Sequence, residues 1–320
     1  MATHQHGAAA SDWVTEATSM TSATLDTYLN DHLYQGGRRY HSYREGRYAL
    51  PNDEIEQHRE EVMHILVMDI LDNNLFLAPM SEPPTKIMDL ATGVGLWAVE
   101  MGDRFPDATI LGVDLSPIQP TSVPPNVSFQ IDDVEDTWVH DTDYDFIHMR
   151  ESSAYMKSTP TVVENSFAHL RPGGWLELQE FHWEAIAEDG TISPTNAVNA
   201  YLEAMYEYGR LEGREINIVP KMGELMRKAG FVNVQCRTFQ VPYGKWPREE
   251  RQKRRGAYMV ATCQILIPAC NSLLSTMGMP EEQVDAMFAG IGEMLHDHTV
   301  RCHNTYYVWS GQKPERAAGV

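Results

Sequence analysis

Apolar positions along the chain follow two rhythms. From Asp53 to about Leu77 they recur at three- and four-residue intervals, with Val62, Ile65, Leu66 and Ile70 on one face, which predicts a helix. Asp53 followed three residues later by Glu56 offers a capping box at its start, and Pro79 with the Pro83-Pro84 pair ends it. The pattern then changes to short apolar runs: KIMDL, TILGVDL, VSFQI, YDFIHM and WLELQEF read as five strands. Turn or helix signals separate them, including Phe105-Pro106, Ser116-Pro117 and Arg171-Pro172-Gly173-Gly174. Strands alternating with helices argue an α/β protein with a parallel, doubly wound sheet.

After Phe181 this rhythm breaks. Residues 183–218 read as amphipathic helix, with Tyr201, Met205 and Tyr208 at helical spacing. KMGELMRKAG and FVNVQCRTF give one more helix and strand, with Gly230 as the C-cap, and a helical region over 248–298 precedes a last strand, TYYVWSG.

Composition narrows the function classes. The 320 residues carry a formal net charge of −20, which repels a phosphate backbone, so no nucleic-acid partner is expected. The run Arg248–Arg255, REERQKRR, contains two glutamates and reads as a solvated helix face. The N-terminal MATHQHGAAASDW lacks the basic and apolar regions of a signal peptide. No stretch approaches the roughly 20 apolar residues of a membrane span, and VATCQILIPAC reads as a core helix. Cys236, Cys263, Cys270 and Cys302 form no C-x-x-C pair and are expected to be buried free thiols. No zinc-spaced ligand set occurs, so no metal is expected. The expectation is a cytoplasmic protein without a membrane partner.

The candidate chemistry lies in KIMDLATGVGLWA. Gly93-x-Gly95-x-x-Ala98 fits a dinucleotide fingerprint, yet Asp89 stands four residues before the first glycine, where a diphosphate would meet a like charge. S-adenosylmethionine carries an α-ammonium and a sulfonium instead, and a carboxylate favours both. The loop Asp89, Ala91, Thr92, Gly93, Gly95 therefore suits that cofactor. Asp114 ends the next strand and can accept from ribose hydroxyls. Asp132, Asp133 and Val134 follow the third, where an acceptor can meet an adenine amino group. Each acid taken alone could be a loop or cap residue.

These segments, with YDFIHMR and LRPGGWLELQE, resemble the class I S-adenosylmethionine-dependent methyltransferases, and within them the fungal LaeA-like group. The resemblance extends upstream to GGRRYHSYREGRYALPNDE and downstream to YYVWSGQKP, covering residues 35–314. Ala91 departs from it, since the family usually has a glycine there. The resemblance implies a Rossmann-like seven-stranded sheet with helical caps, S-adenosylmethionine as donor and S-adenosylhomocysteine as product. It puts Gly93 and Gly95 at the methionine moiety, Asp114 at the ribose with Leu115 and Ile118 around it, and Asp133 and Val134 at the adenine. Met149 and Arg150 would lie beside the methyl or amino acid part. Tyr40 and Tyr43 would fold over the cofactor as a lid, or simply pack. The implied organisation is a flexible N-terminus (1–20), a helical lid region (21–82), a cofactor-binding core (83–182), a helical cap insertion (183–218), and the remaining core (219–320) with a cap over 248–298.

Methyl transfer needs alignment more than any one residue type, so the catalytic assignment is open. His182 leads, with Glu180 and Trp183 flanking it, because it follows the fifth strand on the ligand edge and can take a proton near neutrality. The bland alternative is a hydrogen-bonded loop histidine. Tyr155 and Tyr258 could line an acceptor pocket, along with Tyr43, or belong to the core. The expected function is methylation of a small-molecule acceptor of secondary metabolism, on a hydroxyl or carboxylate oxygen. The alternatives are a regulator acting through a protein partner, and a non-methylating rearrangement at the bound sulfonium.

Overall fold

The computed structural model describes residues 31–139, 141–187 and 196–315. The expected flexible stretch 1–20 and the first part of the lid region lie outside them. The lid region opens with a hairpin absent from the helical expectation, β1 (His32–Gln35) and β2 (Arg38–His41). Gly36 and Gly37 both take positive φ, 56° and 76°, as a tight two-residue turn requires.

Helix α1 spans Glu54–Ile70, and Asp53 caps it by accepting from the Glu56 amide at 3.2 Å. The capping box is only half made, because the Glu56 carboxylate pairs with Arg59 at 2.7 Å. Its buried face is Met63, Leu66, Val67 and Ile70, while Ile65 is 48% exposed, one step off the sequence reading. The helix stops short of Leu77 because Asp72 and Asn73 turn left-handed, at φ 55° and 59°.

The sheet strands are β3 (Lys86–Leu90), β4 (Thr109–Asp114), β5 (Val127–Ile131), β6 (Tyr144–Arg150), β7 (Leu170–Ile186), β8 (Val232–Pro242) and β9 (His303–Gln312). Their order is β5-β4-β3-β6-β7-β9-β8. The pairs from β5 to β7 are parallel, whereas β9 runs against both β7 and β8. The sheet is thus mixed and not all-parallel: β9 enters beside Pro242, the last residue of β8, and fills the gap from that end. The order reverses at β3, so the carboxyl ends of β3 and β6 border the crevice where such sheets take ligands.

Helices α2 (Leu96–Arg104), α3 (Thr159–His169), α4 (Ala197–Leu211), α5 (Met222–Ala229), α6 (Glu250–Ala269), α7 (Asn271–Thr276) and α8 (Glu281–His296) complete the chain. One face of the sheet buries Trp97, Ile110 and Phe146 with α2, and the other buries Ile147, Leu178 and Met222 with α5. A third and larger apolar cluster joins Leu66 of α1, Phe181 and Tyr306 to Met259, Leu274 and Ile291 of the cap helices. Each such side chain contributes about 1.5–3 kcal/mol through burial.

The cap differs from expectation in three places. Residues 183–186 continue β7 instead of starting a helix, with Ile186 paired to His303. The 27-residue helical run Glu250–Thr276 is long and apolar enough to cross a bilayer, contrary to the sequence reading; half of its apolar window is buried, as in a core helix. The REERQKRR run is not merely a solvated face, because Arg251, Arg254 and Arg255 converge on Asp69 of α1. Burial opposes ionisation of Asp69, but the three guanidinium groups hold its carboxyl below the usual range. Cys236 is exposed on β8, and the other three cysteines are buried.

Candidate active site

At the end of β3, Asp89 is only 3% exposed. Its Oδ2 accepts from Thr92 Oγ1 at 2.5 Å and its Oδ1 from His148 Nδ1 at 2.7 Å. His148 lies flat against Trp97, ring centroids 3.8 Å apart, and burial lowers its pKa so that the ring stays neutral. The next strand ends in Asp114, whose carboxylate accepts from the Gly93 and Ser116 amides at 2.8 Å each. Burial raises the Asp114 pKa.

The two loop glycines serve different purposes. Gly93 has φ 55°, and a Cβ there would stand 2.4 Å from Glu60 Oε2. Glu60 reaches in from α1, accepts from the Val94 amide at 3.0 Å, and is pushed up to about 7, chiefly by burial. A Cβ on Gly95 would run into the Phe129 ring at 2.6 Å, so this glycine lets α2 close on the sheet. It does not line the cavity.

After β5, Asp133 takes two guanidinium groups, from Arg44 at 2.9 Å and Arg47 at 2.7 Å. Arg44 also pairs with Asp136, and Arg47 with Glu135 at 3.2 Å. The segment 42–47 is thereby strapped across the acidic loop. At the end of β6, Arg150 donates through Nη2 to His64 Nδ1 at 2.7 Å, and His64 Nε2 meets Glu100 at 3.0 Å. Glu151 follows in a left-handed conformation, φ 56°. Glu180 accepts from the Ser152 and Ser153 amides at 3.1 and 3.0 Å. Burial raises both the Glu151 and Glu180 carboxyls, and the Glu180 charge raises Glu151 further, though less than burial does.

One cavity gathers most of the sequence candidates. Asp89, Ala91, Thr92 and Gly93 line it from the glycine loop, and Asp114, Leu115 and Ile118 from the next strand end. Asp132, Asp133 and Val134 close one side, with Arg150 and Tyr155 on another. Sequence reading missed the contributions of the strap and α1, namely Arg47, Tyr48, Arg59, Glu60 and His64, and also Glu151 and Ser152. Glu60 and His64 are four residues apart on one helix face, a polar stripe that a search for apolar spacing passes over.

Other candidates lie elsewhere. Alternation along β7 turns Phe181 and Trp183 toward the cap and His182 away from it, against Tyr307 and 3.1 Å from Glu184. Burial works to lower the His182 pKa, but Glu184 raises it overall. His182 is therefore not in the cavity wall, and Glu180 stands behind the wall as a cap for the Ser152-Ser153 amides. Met149 is fully buried in the sheet core. Tyr40 pairs with Leu33 in the hairpin, and Tyr43 is buried beneath the Arg44 guanidinium, so both pack outside the wall. Tyr258 packs against the cap cluster. Trp183 lines a second cavity.

That second cavity is apolar and aromatic. Trp183, Tyr201, Met205, Tyr206 and Leu266 line it, and Tyr155 borders both cavities. Its charged residue, Arg214, is turned to backbone, donating to Tyr155 O and, at 2.9 Å, to Arg47 O. Among the described residues no group of three or more His, Cys, Asp or Glu side chains converges as a metal site.

The first cavity fits a zwitterionic, cationic nucleoside. Arg150 Nη1, Glu151 Oε1 and Ser152 Oγ are buried there without a hydrogen-bond partner, a cost of about 1–3 kcal/mol each that a polar ligand removes. Gly93 admits the Glu60 carboxylate over the loop, and acids stand at successive strand ends.

Residues 57–236 match the methyltransferase domain family. Methyltransferase pytC of Aspergillus terreus is 37% identical over 300 residues, 93% of each chain. The secondary metabolism regulator LAE1 of Cochliobolus heterostrophus is 28% identical over 90% of this chain and 96% of its own. Protein-methionine methyltransferase laeA of Emericella nidulans is 28% identical over 88% and 76%. Among solved structures, Haemonchus contortus phosphoethanolamine N-methyltransferase 2 in complex with S-adenosyl-L-methionine shares the fold, with TM-score 0.51 and 13% identity over 92% of this chain and 73% of that one. With a family match over more than half of its length and a relative this similar end to end, the chain belongs to the class I S-adenosylmethionine-dependent methyltransferases, in the fungal LaeA-like group.

Proposed function

We propose that this enzyme methylates an oxygen, hydroxyl or carboxylate, of a small apolar acceptor of secondary metabolism. The observation that carries this reading is the aromatic cavity adjoining the cofactor cavity at Tyr155. Apolar walls with few polar groups suit a compact organic molecule. The similarity to pytC over 93% of the chain supports an enzyme more than a scaffold.

Bound in the first cavity, S-adenosylmethionine supplies an electrophilic methyl group on a cationic sulfur. The protein's part is to align the acceptor and exclude water. Tyr48 and Tyr155, packed edge to face with centroids 4.9 Å apart, form the partition between donor and acceptor. A carboxylate acceptor needs no base. A hydroxyl acceptor gives up a proton, and Glu151, with Oε1 unpartnered in the wall it shares with Tyr155, is the carboxyl at hand to take it.

A panel of phenols, carboxylic acids and amines incubated with enzyme and donor, read by mass spectrometry, tests the reading. Gain of one methylene mass unit on a phenol or acid is the expected result. Product without that gain would indicate a rearrangement. A second reading draws on the relatives named as a regulator and a protein-methionine methyltransferase. It predicts labelling of a partner protein by methyl-labelled donor and no turnover of any panel compound.

A further inference from the structure

The acids nearest the glycine loop differ in how far their oxygens are committed. Asp89 holds Thr92 with one oxygen and His148 with the other. Asp114 holds the Gly93 amide with one and the Ser116 amide with the other. Glu60 is different. Its Oε2 accepts from the Val94 amide at 3.0 Å, and its Oε1 accepts no hydrogen bond among the described residues. The carboxylate fills the space a side chain at position 93 would need, directly over the loop.

The groups facing Glu60 do not neutralise it. Arg59, its neighbour on α1, works to lower the Glu60 carboxyl, but it is paired with Glu56 at 2.7 Å, and Glu56 raises Glu60 in turn. Asp114, across the loop, is a like charge that helps raise the Glu60 carboxyl, though less than burial does. The same cavity wall holds Arg150, whose Nη1 is buried without a partner while Nη2 is taken by His64. One wall therefore offers a spare carboxylate oxygen and a spare guanidinium nitrogen. An α-amino acid group presents the complementary pair of charges.

We propose that Glu60 binds the α-ammonium group of S-adenosylmethionine, with Arg150 Nη1 receiving the α-carboxylate. The acid that fixes the amino acid end of the donor thus comes from the lid-side helix and not from β3. Asp89 keeps the loop in shape through Thr92 and His148. This assignment concerns the donor alone and holds whatever the acceptor is.

Calorimetric titration tests it without turnover. The two probes are S-adenosylhomocysteine and its analogue with hydrogen in place of the α-amino group. Loss of a hydrogen bond to a charged group corresponds to about tenfold or more in affinity. The wild type is expected to bind the deaminated analogue about tenfold more weakly than the parent compound. Glu60→Gln is expected to weaken the parent compound by a similar factor and to leave the analogue unchanged. Equal weakening of both ligands would mean that Glu60 only props the Val94 amide, and would overturn the assignment. So would a wild type that binds both ligands equally well. A crystal structure of the wild type with S-adenosylhomocysteine gives a reading independent of how well the variant folds. The α-nitrogen within hydrogen-bond distance of Glu60 supports the assignment; an α-nitrogen on Asp89 with Glu60 turned away refutes it.

Discussion

The two cavities that meet at Tyr155 are built by opposite means. The first cavity is made mainly at strand ends and in the turns just beyond them, by carboxylates and backbone amides, with α1 and the strap adding Glu60, His64 and Arg47. The second, apolar cavity is made where α4, α6, α7 and α8 pack over the end of β7, by apolar side chains from Val198 to Leu295. The first is polar and holds buried atoms in need of partners, and the second is nearly free of them. The first cavity therefore offers electrostatic recognition by groups at the strand ends and on α1, and the second offers the shape left by helix packing.

The comparison can be broken from either side. Leu274, fully buried in the cap cluster, tests it most severely. Leu274→Ala should cost about 2–5 kcal/mol of stability in a denaturant titration, with the affinity for S-adenosylhomocysteine unchanged at temperatures where the fold persists. A matching loss of donor affinity would mean that the two cavities are mechanically one. Conversely, Asp114→Ala should weaken S-adenosylhomocysteine binding by about 1–3 kcal/mol by calorimetry, with little effect on the cap. Arg44→Ala combined with Arg47→Ala removes the strap from Asp133. Hydrogen exchange should speed up over residues 42–47 and 132–136 and stay slow in β3. The smallest effect is on pH dependence. Glu60 titrates near 7 in the free protein, and a cationic group favours its ionised form. Donor affinity should therefore rise severalfold from pH 6 to 8 and level off. For stability the sign is opposite. Glu60 and Glu177, both raised to about 7 by burial, bind protons in the folded state that the unfolded chain has already released. Their contribution to stability falls as pH rises from about 4.5 to about 7, measurable as a decreasing melting temperature of the ligand-free protein.

The same contrast explains what could be read from the sequence. KIMDL and VSFQI form strands over the very residues proposed, and Asp89, Asp114 and Asp133 reach one cavity because each sits at or just past a strand end. A short apolar run and a strand-end position are local properties. His182 comes just after the apolar run WLELQEF, but the strand continues to Ile186, and one more step of alternation turns the ring to the far face. Glu60 was missed because a helix read for its apolar face says nothing of where its polar face lands. The antiparallel sense of β9 depends on a pairing with β7 more than a hundred residues away, for which the sequence carries no local mark.

Ala91 adopts φ 51° in the wall of the first cavity. A left-handed alanine is strained by about 1–2 kcal/mol in the folded state. A glycine there would instead give the unfolded chain more freedom to lose, about 0.5–1 kcal/mol. The strain is the larger of the two, so Ala91→Gly should leave the folded protein more stable by up to about 1 kcal/mol. The strained alanine instead narrows the threshold of the first cavity by one methyl group's width.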